Sequence, residues 1–294
     1  MNEIVETITD PVFNLRTTES KMKLVEVMLT QPQVRNSIVH RFGPGIYIRE
    51  ATYPANSLIV GQYHLSEHMN VLLKGKIEVI DGNGNVNVFT APYMFVAPPG
   101  SKIGRTLEEV IWQNIYATTE TNVEVLEQTL FKAPQIFHDH LAKQLEERTT
   151  YHEIDREDYR EMLMETGWDA AVVEQLSKYR GDCISFPYGS YSIIEGNSPI
   201  QGKGMFATAH IKPGEIIAPM RLNECRTPAG YLINHSKYPN AQAVLNPNGD
   251  MYLVAIRDIQ GMDGGFNGDE ITTDYRHTMK LNNLLDWNTK CLQE

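Results

Sequence analysis

The chain has 294 residues, with 26 Lys and Arg against 37 Asp and Glu, a formal charge of −11. That length supports about two domains, each able to bury a core. The acidic balance argues against a nucleic-acid binder, because gripping a phosphate backbone needs clustered Lys and Arg. No stretch of about 18 apolar residues occurs, so no membrane span is expected. Three cysteines, Cys183, Cys225 and Cys291, form no closely spaced framework. With no basic leader before an apolar run at the N-terminus, this predicts a cytoplasmic protein in a reducing compartment.

In chain order, Lys21 to Leu29 predicts a short amphipathic helix, with Met22, Val25 and Leu29 on one side. Residues 45–130 read as all-β. Runs such as Met69–Leu73, Lys76–Ile80 and Val86–Phe89 are strand-like, and Lys74-Gly75 and Asp81–Asn85 are turn signals between them. Residues 135–182 change to helical period. Asp155 is the expected N-cap of a helix stopped by Gly167, and Asp169 caps a second from Ala170 to Tyr179. Tyr159, Leu163, Val172, Val173 and Leu176 predict apolar faces meeting as a helical hairpin. Residues 151–185 hold four basic against nine acidic groups, a run that predicts a solvated face. From 186 onward the chain returns to short strands, glycines and turns.

Three blocks in this last region carry chemistry. The first is Gly202-Lys203-Gly204-Met205-Phe206-Ala207. The second is Tyr231 to Asn240, containing Asn234-His235-Ser236. The third is Asp269 to Tyr275. Their order and spacing resemble a SET domain, the protein lysine methyltransferase fold, over roughly residues 186–280. The resemblance implies an S-adenosyl-L-methionine site formed by Gly202, Lys203, Gly204, Met205, Asn234 and His235, with Tyr275 catalytic. Many histone-directed members have a cysteine after Asn-His-Ser and more beyond the tyrosine, together binding zinc. Here Lys237 stands at the first position and only Cys291 follows Tyr275. That zinc site is therefore not expected, and Trp287 in the tail is the candidate to close the cofactor site.

The words Val71-Leu72-Leu73-Lys74-Gly75-Lys76-Ile77 and Ala97-Pro98-Pro99-Gly100-Ser101-Lys102 resemble a cupin, a small jelly roll, of the kind found in phage proteins. Many cupins bind metal. The resemblance puts His64 and His68 at two ligand positions, but Gln62 and Ile103 at the other two. Two imidazoles fall short of the three or four protein ligands of a soft-metal site, so no metal is expected.

The expected fold is mainly β: a cupin-like domain with its N-terminal arm (1–135), a helical connector (136–185), and a SET domain with its tail (186–294). The expected function is methyl transfer to a lysine of a protein substrate, with self-association through the cupin-like domain. The alternative is a non-enzymatic cupin-SET binding or assembly module.

Overall fold

The computed structural model describes residues 17–80, 85–133, 135–140, 142 and 152–282. Trp287, Cys291 and the expected turn residues 81–84 lie outside the described residues. The structure is mainly β, and period-two burial explains the first part. Along β10 (Val110–Ala117) every second side chain is buried, as along β1 (Ser37–Gly43). This is the pattern of strands with one face in a core.

β1 and β10 belong to a six-stranded antiparallel sheet with β2 (Ile46–Tyr53), β5 (His68–Lys74), β8 (Tyr93–Ala97) and β12 (Gly189–Tyr191), in the order β12-β1-β2-β10-β5-β8. Opposite lie β3 (Leu58–Val60), β9 (Ile103–Thr106), β6 (Lys76–Ile80) and β7 (Val86–Thr90), in that order. Leu72, Val110 and Trp112 from the first sheet pack with Ile77 and Val79 from the second. The strands at 69–73, 76–80 and 86–89 thus form as expected. Gly75 is required at its turn: it has φ +86°, and a Cβ there would overlap the backbone of Glu109.

The expected N-terminal helix spans Thr18–Leu29 (α1), capped by Thr17. Its Leu24 is fully buried against Ile103, with Leu58, Val60 and Ile80 around them, so α1 covers the outside of the four-stranded sheet. A short pair, β4 (Tyr63–His64) with β11 (Phe131–Lys132), follows helix α2 (Val123–Leu130).

The helical region differs from expectation in two ways. α3 (Glu153–Thr166) starts two residues before Asp155, with His152 at the cap position and no side-chain cap bond. Asp155 is diverted to accept from Ser236 Oγ and the Lys237 N–H. Gly167 does stop the helix, in the left-handed conformation, and Asp169 caps α4 (Ala170–Lys178). The hairpin packing is only partly realised. Met162, Leu163 and Trp168 form a cluster with Met279, and Tyr159, Val173 and Tyr275 pack against it. Val172 and Leu176 remain exposed. The reason is that α3 turns its apolar face to the C-terminal part of the chain rather than to α4.

The remaining chain makes two four-stranded sheets. One has the order β13 (Ile193–Asn197), β14 (Lys203–Ala207), β20 (Glu270–Thr273), β17 (Asn234–His235). The other has β16 (Cys225–Arg226), β15 (Ile216–Leu222), β19 (Met251–Ala255), β18 (Ala241–Leu245). Helix α5 (Pro228–Tyr231) precedes β17, and α6 (Tyr275–Leu281) follows β20. Strand β12 lies beyond residue 186, yet it completes the first sheet by pairing with β1. One hydrophobic cluster runs from Phe42, Tyr47 and Phe131 through Phe186 and Tyr191 to Met205, Leu253 and Ile271. The two halves therefore share a core. No helix among the described residues is long and apolar enough to cross a membrane.

Candidate active site

β17 and β20 are parallel, with Asn234 opposite Thr272 and His235 opposite Thr273. Asn240 extends this pairing with its side chain. Its Oδ1 accepts from the Thr272 N–H at 2.9 Å, and its Nδ2 donates to the Glu270 carbonyl at 2.8 Å. β14 lies on the other side of β20. The Gly202 loop, the Asn-His pair and Tyr275 are thereby drawn from three distant stretches to one place.

The glycine loop is a hairpin between β13 and β14, with Gly202 at φ +54°. Gly204 sits close to the Glu270 carboxylate: a Cβ there would overlap Oε1, so a side chain at this position would have to displace that carboxylate. Asn234 is buried beside it. Its Nδ2 faces the carbonyls of Gln201 (3.2 Å) and Lys203 (3.0 Å) and Glu270 Oε1 (2.7 Å). Ser198 Oγ is 2.8 Å from both Glu270 oxygens. Burial raises the Glu270 pKa, and the bonds from Asn234 and Ser198 offset this only in part. The Lys203 ammonium points elsewhere, to Glu124 at 2.8 Å and Glu195 at 3.1 Å. Met205 is 2% exposed in the shared core. Lys203 and Met205 can thus offer only main chain to a ligand at this loop.

His235 is held at both ring nitrogens. The Tyr275 N–H donates to Nδ1 at 3.2 Å, so Nδ1 is an acceptor and Nε2 carries the proton. Nε2 then donates to Asp158 Oδ2 at 2.9 Å. Arg276 Nη1 reaches the same oxygen at 2.9 Å. Burial opposes the charge on Asp158, but the bonds from Arg276 and His235 outweigh it and hold the carboxyl below its usual range. The Tyr275 hydroxyl donates to the Ile233 carbonyl at 2.7 Å. Burial, then the neighbouring Tyr159 and Glu270, push its pKa well above the ordinary tyrosine value.

Helix α3 touches every part of this site. Arg156 donates to the carbonyls of Pro199 (2.6 Å) and Ile200 (2.8 Å), just before the glycine loop. Asp155 holds Ser236 and Lys237. The Tyr159 ring lies 6.1 Å from the rings of both His235 and Tyr275, edge-on to the latter. The expected solvated face therefore does not hold for Asp155, Asp158 and Arg156. The helical phase held the signal: 155, 158, 159, 162 and 163 form one stripe, which puts two aspartates on the apolar side. Glu270 and Asn240 lie within the motif blocks and Ser198 outside them, but the helical phase says nothing of any of the three, because their roles depend on contacts across the fold.

A cleft of about 480 Å³ lies at the seam between the halves, lined by Arg35, Asn36, Glu109, His210 and Gln260 among others. It contains none of the motif residues. The motif cluster is the better site because its buried polar groups converge there.

In the jelly roll, the rings of His64 and His68 stack at 4.1 Å. His64 Nδ1 bonds the Tyr116 hydroxyl. His68 Nδ1 donates to the Ser66 carbonyl at 3.0 Å, which leaves its buried Nε2 as an acceptor without a partner. The side chain of Gln62 also has a buried, unpartnered Oε1. Ile103 faces α1, on the far side of its sheet from the sandwich interior. Among the described residues no group of three or more His, Cys, Asp or Glu is arranged to hold a metal. Burial pushes His64 down to about 2, with His68, Lys102 and Arg49 adding to the effect.

No protein-family model matches the sequence, and no curated protein matches it. Solved structures do match part of the chain. A cupin superfamily protein from Desulfitobacterium hafniense DCB-2 is 6% identical, covers 30% of this chain and 82% of its own, and has a TM-score of 0.25. A double-stranded β-helix protein from Klebsiella pneumoniae is 20% identical, with coverages of 30% and 79% and the same TM-score. KdgF from Halomonas sp. is 17% identical, with coverages of 31% and 84%, again at 0.25. At these TM-scores the likenesses carry no argument of their own. The cupin-like jelly roll rests on the strand pairing and the two facing sheets.

Proposed function

We propose that the chain is an S-adenosyl-L-methionine-dependent methyltransferase of the SET type acting on a protein lysine. The observation that supports this best is the parallel pairing of Asn234-His235 with Thr272-Thr273, which gathers the Gly202–Gly204 loop, Asn234 and Tyr275. What supports such a ligand at the loop is main chain left open at Gly202, where an added Cβ would meet nothing, next to the Gln201 and Lys203 carbonyls that hold Asn234.

When bound, S-adenosylmethionine would supply a sulfonium methyl that could pass to the amine nitrogen, the electron pair of the broken carbon–sulfur bond staying on sulfur. The chain's part is to position a neutral lysine amine, since alignment alone can lower a barrier by several kcal/mol. Tyr275 directs its proton to the Ile233 carbonyl, leaving the phenolic oxygen free to accept from the amine. Its raised pKa keeps it protonated at neutral pH. It therefore orients the amine and is not the base. His235 commits both ring nitrogens to the scaffold, so its side chain braces Tyr275, and only its main chain is left for the ligand. The place of a zinc-held segment is taken by α3, through Asp155 and Asp158 on Ser236, Lys237 and His235.

The jelly roll is proposed as a self-association module. Met69, Leu73, Met94 and Val96 stand exposed on one face of the paired β5 and β8, an apolar patch of the kind that marks contacts.

Calorimetry with S-adenosylmethionine, followed by transfer of a radiolabelled methyl to lysate proteins, tests the proposal. Tyr275→Phe should bind the nucleoside as the wild type does and turn over about 10²–10³-fold more slowly, the scale of losing one preorganised hydrogen-bonding group. Binding without any labelled lysine would favour the non-catalytic module. An unchanged single-turnover rate in Tyr275→Phe would remove that hydroxyl from the mechanism.

A further inference from the structure

Helix α4 is held by its ends rather than by its apolar face. Asp169 caps its first turn, and the Arg226 guanidinium donates to the Tyr179 carbonyl at 2.8 Å just past its last turn. Val173 turns inward to the cluster of Leu163, Trp168 and Met279, while every other residue of α4 is exposed. Val172, Leu176 and Tyr179 fall on one stripe by their spacing of four and three, and they are 44%, 52% and 59% exposed. An apolar stripe left open in this way adds little to the stability of so short a helix and marks a contact surface.

The helix also runs along the flank of the Tyr275 site. Val173 packs with Tyr159 and Tyr275 against the same cluster, and Glu174 lies near enough to add to the effect of burial in raising the Tyr159 pKa. At the other end Arg180 sits over the Tyr231 ring at 4.2 Å. Tyr231 shortly precedes Ile233, whose carbonyl accepts from the Tyr275 hydroxyl. The surroundings are acidic, with nine acidic against four basic groups in residues 151–185. Three of those bases are already engaged: Arg156 with the Pro199 and Ile200 carbonyls, Lys178 with Glu174, and Arg180 with Tyr231. Glu157 and Glu161 stand exposed on α3. Such a surface is complementary to a segment that combines apolar side chains with Lys and Arg.

We propose that α4 docks a basic amphipathic helix of a partner protein, its apolar side chains on Val172, Leu176 and Tyr179 and its Lys and Arg side chains beside Glu157, Glu161 and Glu174. That this partner is the methyl acceptor rests on the methyltransferase reading above; the docking surface itself does not. The competing account is a solvated connector that meets no partner.

Fluorescence anisotropy with the full chain and a labelled synthetic helix of Leu and Lys at heptad spacing tests this without cofactor or turnover. The wild type should bind the peptide and not its Glu-for-Lys counterpart. Val172→Ser and Leu176→Ser change exposed positions, where substitutions leave the fold intact. Each should weaken binding about 10-fold, the scale of one buried apolar side chain. A wild type that does not bind the Lys peptide, or equal affinity in the wild type and either variant, overturns the proposal. So does binding that appears only once residues 283–294 are removed, which gives the face to the chain's own tail. A wild-type dimer that Leu176→Ser dissociates in sedimentation gives the face to a second copy and overturns it as well. Calorimetry keeps the two readings apart: a wild type that binds no S-adenosylmethionine removes the methyltransferase reading and leaves the docking result standing.

Discussion

Two buried polar clusters in this protein solve the same electrostatic problem in opposite ways. In the jelly roll, His40, His64 and His68 are 1%, 8% and 3% exposed. Burial lowers all three pKa values, to about 3 for His40 and about 2 for His64. They are tolerated by remaining neutral. In the C-terminal half Asp158 is just as buried, but Arg276 and His235 keep it ionised. The difference is one of partners. The jelly-roll histidines meet tyrosine hydroxyls and a carbonyl, whereas Asp158 meets a guanidinium and an imidazole N–H. A cluster that survives by neutrality should be sensitive to protons, and one held by pairing should be sensitive to loss of a partner.

Mild acid should give the largest effect. A histidine whose folded pKa is depressed contributes stability that is fully present above the unfolded value near 6.5 and is lost as pH falls below it, because only the unfolded chain takes up the proton. Each such histidine costs about 1.4 kcal/mol per pH unit below that point. Asp158 is the opposite case. Its depressed value gives stability that is present above about 3.9 and is lost only as pH falls through the lower folded value. Hydrogen exchange between pH 6.5 and 4.5 should therefore show the jelly-roll strands loosening while α3 and α6 keep their protection. His40→Gln should flatten the pH dependence by one histidine's share. Uniform loosening of both regions would erase the contrast.

Breaking the pair comes next. Asp158→Ala leaves the buried His235 N–H without its acceptor while Arg276 keeps Glu165, and should destabilise the chain by about 1–3 kcal/mol, the cost of an unsatisfied buried donor. Thermal melting at pH 7 checks it, and a loss below about 1 kcal/mol would mean the three groups do not act together. The smallest effect should come from Lys203→Ala. The Lys203 side chain is 40% exposed, so its pairs with Glu124 and Glu195 are screened and worth less than about 1 kcal/mol. On the proposed methyltransferase reading, this variant should keep the affinity of the wild type for S-adenosylmethionine, because the Lys203 ammonium points to Glu124 and Glu195. A large loss of affinity would bring the lysine side chain back into the site.

The local elements of this protein are written in its residue pattern. The strands at Met69–Leu73 and Lys76–Ile80, the Gly75 turn, the Gly167 stop and the Asp169 cap depend on residues close in the chain, and each appears where its pattern puts it. The order of the three motif blocks also pointed to Asn234, Gly204 and Tyr275, which come together around β20. Their surroundings follow from the folded arrangement alone. Asp158 acquires a role because a helix 77 residues before His235 packs against it. Asp155 gives up the cap expected of it for Ser236. Glu270 becomes a part-buried carboxylate only because β14 and β17 flank β20. Local patterns carry the period of burial, since that repeats every two or 3.6 residues. The partner a buried charge meets has no period, and is set by which distant segments the shared core presses together.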